Sequence, residues 1–208
     1  MIEWKEIEHE ATEMAALHDP ASIQALRNCG LLKFFCTHSM RRQTALLDYL
    51  VRMWDPDIQA FQCGVHTLEI DIEDIYFITG LSKQGAPVVM SGLRNDVGET
   101  MDDYIRRYCI PGTKKKSGKA SISIVMDMPL RTILFSITRA FGSLGAHSTT
   151  KAQMTYGLEC VEPRVFNWCV GLRASLHDQL TCCRTCKQSQ FVYGLILVTF
   201  FLERMPLL

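Results

Sequence analysis

The chain has 208 residues, of which 48% are hydrophobic and 21% charged, with 22 Lys+Arg balanced by 22 Asp+Glu. That length and apolar content suffice for a real core, in one larger domain or two small ones. The zero net charge excludes a global field that would draw in nucleic acid or an anionic membrane, so any basic patch must be local.

Residues 2–17 read as a polar, acidic helix with Ile2, Ile7, Met14 and Leu17 along a thin apolar side. Asp19-Pro20 then supplies an N-cap followed by proline at the first helical position, and Asn28-Cys29-Gly30 supplies the stop. A further helix is expected from about Met40 to Trp54, with Leu46, Leu47, Leu50, Val51 and Trp54 on one face, ended by Asp55-Pro56. Polar and apolar residues alternate around Gly64 in "IQAFQCGVHTLEI", the pattern of a short hairpin.

The next stretch carries four carboxylates within six positions: Glu69, Asp71, Glu73 and Asp74. Such a group could bind a metal or form an acid/base pair. The local pattern favours a structural use. Leu68 and Ile70 point to one side of a strand and leave Glu69 and Asp71 on the other. Asp71 is placed to cap a helix with Asp74 at N3, and acidic residues suit the positive end of the helix dipole. Ile75, Ile78 and the closing Gly80-Leu81 complete a short helix with a glycine C-cap.

Thr100 with Asp103 caps a helix bearing Met101, Tyr104, Ile105 and Tyr108, stopped by Pro111-Gly112. After a basic loop, "ASISIVMDM" alternates at Ile122, Ile124 and Met126 like a strand. Pro129 opens a helix through about Phe141, ended by Gly142 and Gly145. Pro163 opens another, with Phe166, Cys169, Val170, Leu176 and Leu180 roughly in helical period. The longest apolar run, Phe191 to Leu202, is too short to span a bilayer and reads as a buried helix, so no membrane is expected as a partner. The fold class expected is mainly α (α+β): a single helical domain over residues 1–208 with a short β-hairpin and a few short strands. The ending "MPLL" leaves no polar cap, which suggests a fragment of a longer chain.

Nine cysteines at irregular spacing, an acidic start without an apolar signal core and no Asn-x-Ser/Thr site point to reduced thiols in a cytosolic or nuclear protein. In "HDQLTCCRTC", Cys183-x-x-Cys186 is half of a tetrahedral zinc site. The stretch places His177 and Cys182 close by, with Cys169 one or two turns earlier, and His177 or Cys169 could complete the site. No second CxxC exists, and reduced structural cysteines or a Cys183–Cys186 redox pair are the competing readings. His66 and His147 have no nucleophile or carboxylate at a telling spacing and read as turn residues.

"PGTKKKSGKAS" imitates a phosphate-binding P-loop. It fails on spacing, with five residues between Gly112 and Gly118 and Ala120 rather than Ser or Thr after Lys119. It fails on mechanism too, because a strand rather than a helix is expected to follow. Lys114, Lys115, Lys116 and Lys119 remain candidates for contact with a phosphate backbone or for a nuclear-import patch, against the ordinary reading of a solvated loop.

The order of residues in "LLDYLVRMWDPDIQAFQCGVHTLEIDIEDIYFITGLSKQGAPV", Leu46 to Val88, resembles the core signature of the plant mobile domain family. The matching residues are Trp54, Phe61, Gly64, Thr67, Leu68, Asp74, Gly80, Leu81, Gly85 and Val88, and "FVYGLILVTFFLERMP" is similar to an apolar helix found later in that family. The resemblance implies a nuclear plant protein linked to silencing of transposons, to meristem maintenance or to transposable elements, and a protein partner that is phosphatase-like. It implies no reaction and no catalytic residue. The label "aminotransferase-like" attached to the family would require a Schiff-base lysine, a phosphate cup and a partner for the pyridine nitrogen. None is identifiable here, so no cofactor is expected. The expected function is therefore a noncatalytic nuclear protein-interaction module, not an enzyme. The alternative is a nucleic-acid-binding domain using the loop 114–119.

Overall fold

The computed structural model describes residues 16, 18–36, 44–90, 99–114, 118–141, 148–162, 164–186 and 193–204. Apart from Ala16, the N-terminal helix expected over residues 2–17 lies outside the described residues, as do residues 40–43 at the start of the helix expected from Met40, and Gly142, Gly145, His147 and Pro163.

Asp19 opens helix α1 (Pro20–Asn28): its carboxylate accepts the N–H groups of Ala21 at 3.3 Å and Ser22 at 3.0 Å. Pro20 stands where a missing N–H costs nothing. The turn through Cys29 and Gly30 returns the Leu31 N–H to the Leu26 carbonyl at 2.9 Å and leads into the single-turn α2 (Leu32–Phe35).

Helix α3 (Thr44–Arg52) buries Leu47 and Leu50, whereas Leu46 is exposed. The helix stops two residues short of the expected Trp54. The Met53 carbonyl instead accepts the Gln62 N–H at 2.8 Å, and Trp54 pairs with Phe61 in an antiparallel ladder. Strands β1 (Trp54–Asp55), β2 (Ala60–Cys63) and β3 (His66–Leu68) form that three-stranded sheet. The hairpin at Gly64 is present as expected, with Cys63 opposite His66 across a two-residue turn.

Asp71 and Asp74 make a reciprocal capping box at the start of α4 (Ile72–Thr79), and Gly80 closes it in the left-handed conformation at φ 66°. The expectation of caps at this helix holds at both ends. A second capping box, Thr100 with Asp103, starts α5 (Met101–Tyr108), which buries Met101, Tyr104 and Ile105.

The strand expected over 120–126 is corrected. Only β5 (Ala120–Ser121) is extended, paired with β6 (Ser148–Thr149). Ile122–Ile124 is a 3₁₀ turn, followed by a single bridge from Val125 to Cys109. Burial follows the three-residue turn rather than alternation: Ile122 and Val125 are buried while Met126 is 54% exposed.

Helix α6 (Met128–Phe141) is buried nearly all round, through Leu130, Ile133, Leu134, Ile137 and Ala140, which marks it as a core helix. It packs against α1 and against α7 (Lys151–Val161). Sequence patterning missed α7, although Thr150 and Gln153 form a capping box that announces it.

The helix expected to open at Pro163 begins at Trp168, because Phe166–Asn167 is extended. This pair, β7, lies parallel to β4 (Ala86–Pro87). Asn167 is the effective cap, accepting the Val170 N–H at 3.1 Å and donating to the Lys83 carbonyl at 2.8 Å. Helix α8 (Trp168–Cys186) then runs past α3, α4 and β1, with Trp168, Cys169, Leu172, Leu176 and Leu180 inward. The apolar run ends in α9 (Gly194–Arg204), which packs on α3 and α4. Nine α-helices and a few short strands among the described residues make the fold mainly helical, as the patterning implied.

Candidate functional site

The residues of the signature segment converge on one region, where the three-stranded sheet meets α4, α8 and α9. Trp54 is 1% exposed; its ring stacks edge-on against Phe61 at 5.0 Å and His177 at 4.9 Å, and its Nε1–H donates to Thr181 Oγ1 at 3.1 Å. Phe61 in turn meets Phe201 at 5.0 Å and Phe200 at 6.3 Å. The indole, the phenyl ring and α9 thus share one aromatic cluster, with the Trp N–H satisfied inside it. Leu68 is half-buried. Leu81 is fully buried, and its carbonyl accepts the Cys169 S–H at 3.2 Å. Val88 lies directly over Gly171, where any side chain would press into it.

Gly85 marks the tightest approach. At φ 99° it brings β4 so near the Val165 carbonyl that an added Cβ would sit 2.2 Å from the oxygen, while Ala86 N–H donates to the same carbonyl at 3.1 Å.

Each of the four carboxylates has its own structural partner. Glu69 pairs with Arg173 at 2.6 Å, and Arg173 Nε also donates to the Ile70 carbonyl at 2.9 Å. Asp71 accepts the Asp74 N–H at 2.8 Å, and this backbone donor holds its carboxyl below the usual range despite partial burial. Glu73 pairs with Lys83 at 2.5 Å, and Lys83 lies 4.9 Å from the Tyr76 ring centroid. Asp74 accepts the Asp71 N–H at 3.0 Å and also takes the guanidinium of Arg204. The four groups are thereby directed apart, to α8, to the helix backbone, to the loop after α4 and to α9. Arg173, Lys83 and Arg204 escaped the sequence reading. Their partners lie 104, 10 and 130 positions away, with no local spacing to link them.

The basic loop is represented by Lys114 and Lys119, both exposed; Lys115 and Lys116 lie outside the described residues. The chain continues from Lys119 into β5 and a 3₁₀ turn, so the helix N-terminus that a P-loop needs does not follow.

The candidate zinc residues lie on α8. His177 is 5% exposed and faces Trp54, Cys183 is buried and Cys182 half-buried; the Cys186 side chain lies outside the described residues. A rotation of about 100° per residue puts His177 and Cys183 on different sides of the helix. Among the described residues, no three His, Cys, Asp or Glu side chains gather as a metal would require. Burial, reinforced by the charge of Arg173, pushes the His177 pKa below its ordinary 6.5, and its Nε2 has no hydrogen-bond partner among the described residues. Burial likewise raises the Cys183 thiol.

The chain matches no family model, no curated protein and no solved structure.

Proposed function

We propose that the chain is a noncatalytic interaction module of the plant mobile domain kind, acting in the plant nucleus through a phosphatase-like protein partner. The observation that carries this reading is the use made of the signature residues. Trp54, Phe61, Asp74, Gly80, Leu81 and Gly85 each hold one element against another, and Asp74 and the neighbouring Glu69, Asp71 and Glu73 are committed to caps or ion pairs. Among its exposed residues the same segment also offers large apolar side chains to solvent: Val65 is 93% exposed at the hairpin tip, Phe77 74% on α4, and Tyr49 60% on α3. Exposed large apolar groups on a rigid scaffold suit protein contact better than chemistry. In such a role the domain would serve transposon silencing or meristem maintenance.

The test is capture of a phosphatase-like protein from plant nuclei by the wild-type chain and by the double variant Val65→Asp, Phe77→Asp. The expected result is a phosphatase-like protein retained by the wild type and lost, at least tenfold, from a variant whose melting temperature is unchanged. Equal capture by both, or no phosphatase-like protein with either, overturns the reading.

A further inference from the structure

The chain around Cys109 meets the chain around Val125 in a single antiparallel bridge. The Ile110 N–H donates to the Ile124 carbonyl at 3.0 Å, and the Met126 N–H donates to the Tyr108 carbonyl at 2.9 Å. Cys109 and Val125 face each other and are buried. Alternation therefore turns Tyr108, Ile110, Ile124 and Met126 to the opposite side. Ile110 is 51% and Met126 54% exposed, while Tyr108 and Ile124 are half-buried. The outcome is an apolar strip on the surface.

Cations border this strip. The stretch 106–119 holds six Lys or Arg and no Asp or Glu. Arg106 and Arg107 precede Tyr108, and their ion pairs with Asp103 at 3.3 Å and Glu99 at 2.7 Å are exposed and readily exchanged. Lys114 follows the turn in which the Thr113 N–H returns to the Ile110 carbonyl at 3.3 Å, and Lys119 leads into β5. Asp127, next to Met126, is occupied in capping α6 through the Leu130 N–H at 2.7 Å. An apolar centre with a basic border fits an acidic segment that carries a few apolar side chains.

The chain itself contains such a segment. Residues 2–15 hold five Glu and one Lys, with Ile2, Ile7 and Met14 on the apolar side of the expected helix. The zero net charge of the protein thus conceals two stretches of opposite sign. The segment also starts from the right place. The hydroxyls of Ser22 in α1 and Thr132 in α6 meet at 3.4 Å, and further along the same two elements Phe35 packs on Phe135 while Arg139 donates to the Phe35 carbonyl at 3.2 Å. Helices α1 and α6 therefore begin at the same end. Ala16 lies just before α1, its carbonyl accepting the Asp19 N–H at 3.2 Å. Val125 is fastened at the start of α6, its carbonyl accepting Arg131 Nε at 2.8 Å. Fifteen residues leading up to Ala16 reach about 20 Å even as a helix, enough to lie along the strip.

We propose that residues 2–15 dock on this strip within the same molecule, their glutamates on Arg106, Arg107, Lys114 and Lys119 and their apolar side on Ile110 and Met126. The contact is autoinhibitory toward anions: it covers the cations that a phosphate backbone would otherwise reach.

The experiment treats the full chain with a water-soluble carbodiimide, which joins carboxylates to amines in contact, and maps the linked peptides by mass spectrometry. Heavy-isotope-labelled copies are mixed in to separate links within one chain from links between two. The expected links run from Glu3–Glu13 to lysines of 114–119, within one chain. Hydrogen peroxide then reports on Met126, whose thioether oxidises when exposed. Replacing Glu3, Glu6, Glu8, Glu10 and Glu13 by Lys should speed its oxidation at least about threefold. Adding Arg106→Glu, Arg107→Glu, Lys114→Glu and Lys119→Glu to that variant should restore the slow rate. Equal Met126 oxidation in the wild type and the first variant, with equal melting temperatures, overturns the proposal. Links from the segment mainly to other lysines overturn it as well, and links found only between copies make the occupant a second chain instead. If the variants fail to fold, the links in the wild type decide alone.

Discussion

Arg204, in the last turn of α9, donates to Asp74 in the first turn of α4, joining side chains 130 positions apart in sequence. Asp74 is 11% exposed and Arg204 51%, so one side of the pair is sheltered by the fold. The same carboxylate receives the Asp71 N–H, which couples the signature helix to the C-terminal one.

Asp74→Ala removes both contacts and is expected to cost about 1–2 kcal/mol, whereas Arg204→Ala, half exposed and screened, costs about 0.5 kcal/mol. Chemical denaturation of the two single variants and the double one should show a coupling of about 0.5 kcal/mol. Asp71→Ala should cost about 1 kcal/mol and leave calorimetric titrations with calcium and magnesium flat. Tight divalent-cation binding lost in that variant would restore the acidic cluster as a metal site.

Gly85 and Gly64 both have positive φ, but their surroundings differ. An added Cβ at Gly64 meets nothing within 4 Å, so Gly64→Ala should cost only the backbone penalty of about 1 kcal/mol. At Gly85 the Cβ would drive into the Val165 carbonyl and separate β4 from β7, for a loss of about 3 kcal/mol. Thermal melts that rank the two variants equally would contradict this.

His177 makes stability depend on pH. Burial and then Arg173 depress its folded-state pKa, with Glu69, Asp178 and a hydrogen bond to the Ile70 backbone opposing them. Below the unfolded value of 6.5 the unfolded chain takes up a proton that the folded chain resists. The stabilisation is therefore complete above that pH and fades as pH drops toward the folded pKa. Urea midpoints between about pH 7.5 and 5.5 should fall less in His177→Gln than in the wild type.

The basic loop bears on the rival function. Four lysines neutralising phosphates would give a slope of at most about −3 to −4 in log affinity against log salt. Binding to duplex DNA is expected to be sequence-independent and weaker than roughly 10 micromolar at physiological salt. Replacing Lys114, Lys115, Lys116 and Lys119 by Ala should abolish it. Fluorescence anisotropy showing submicromolar affinity for one sequence at 150 mM salt would promote the nucleic-acid reading over protein contact.

For the cysteines of α8, the purified protein should carry little zinc and chelation should not alter its melting temperature, since a structural site would add directly to folding. Stoichiometric zinc that disappears in Cys183→Ser would show that the side chains rearrange around a metal.

Local chemistry wrote several elements into the sequence. The caps at Asp19, Asp71 and Thr100, the turn at Gly64 and the stop at Gly80 involve groups within four residues of one another, so composition and spacing reveal them. The aims failed where a distant partner competed with local periodicity. Trp54 left its helix for a strand because Phe61 and Met53 supply the ladder. Phe166 and Asn167 stayed extended because Ala86 and Pro87 pair with them. Residues 122–124 turned into 3₁₀ once β6 offered only two residues of pairing.

The sequence alone determined a mainly helical chain with capped helices and an acidic stretch built for capping, because those interactions close over one helical turn. Only the tertiary structure decided which arginine or lysine meets each carboxylate, and that His177 is shut in behind Trp54. Such pairings depend on how α4, α8 and α9 dock, and docking buries apolar faces whose partners no short-range spacing specifies.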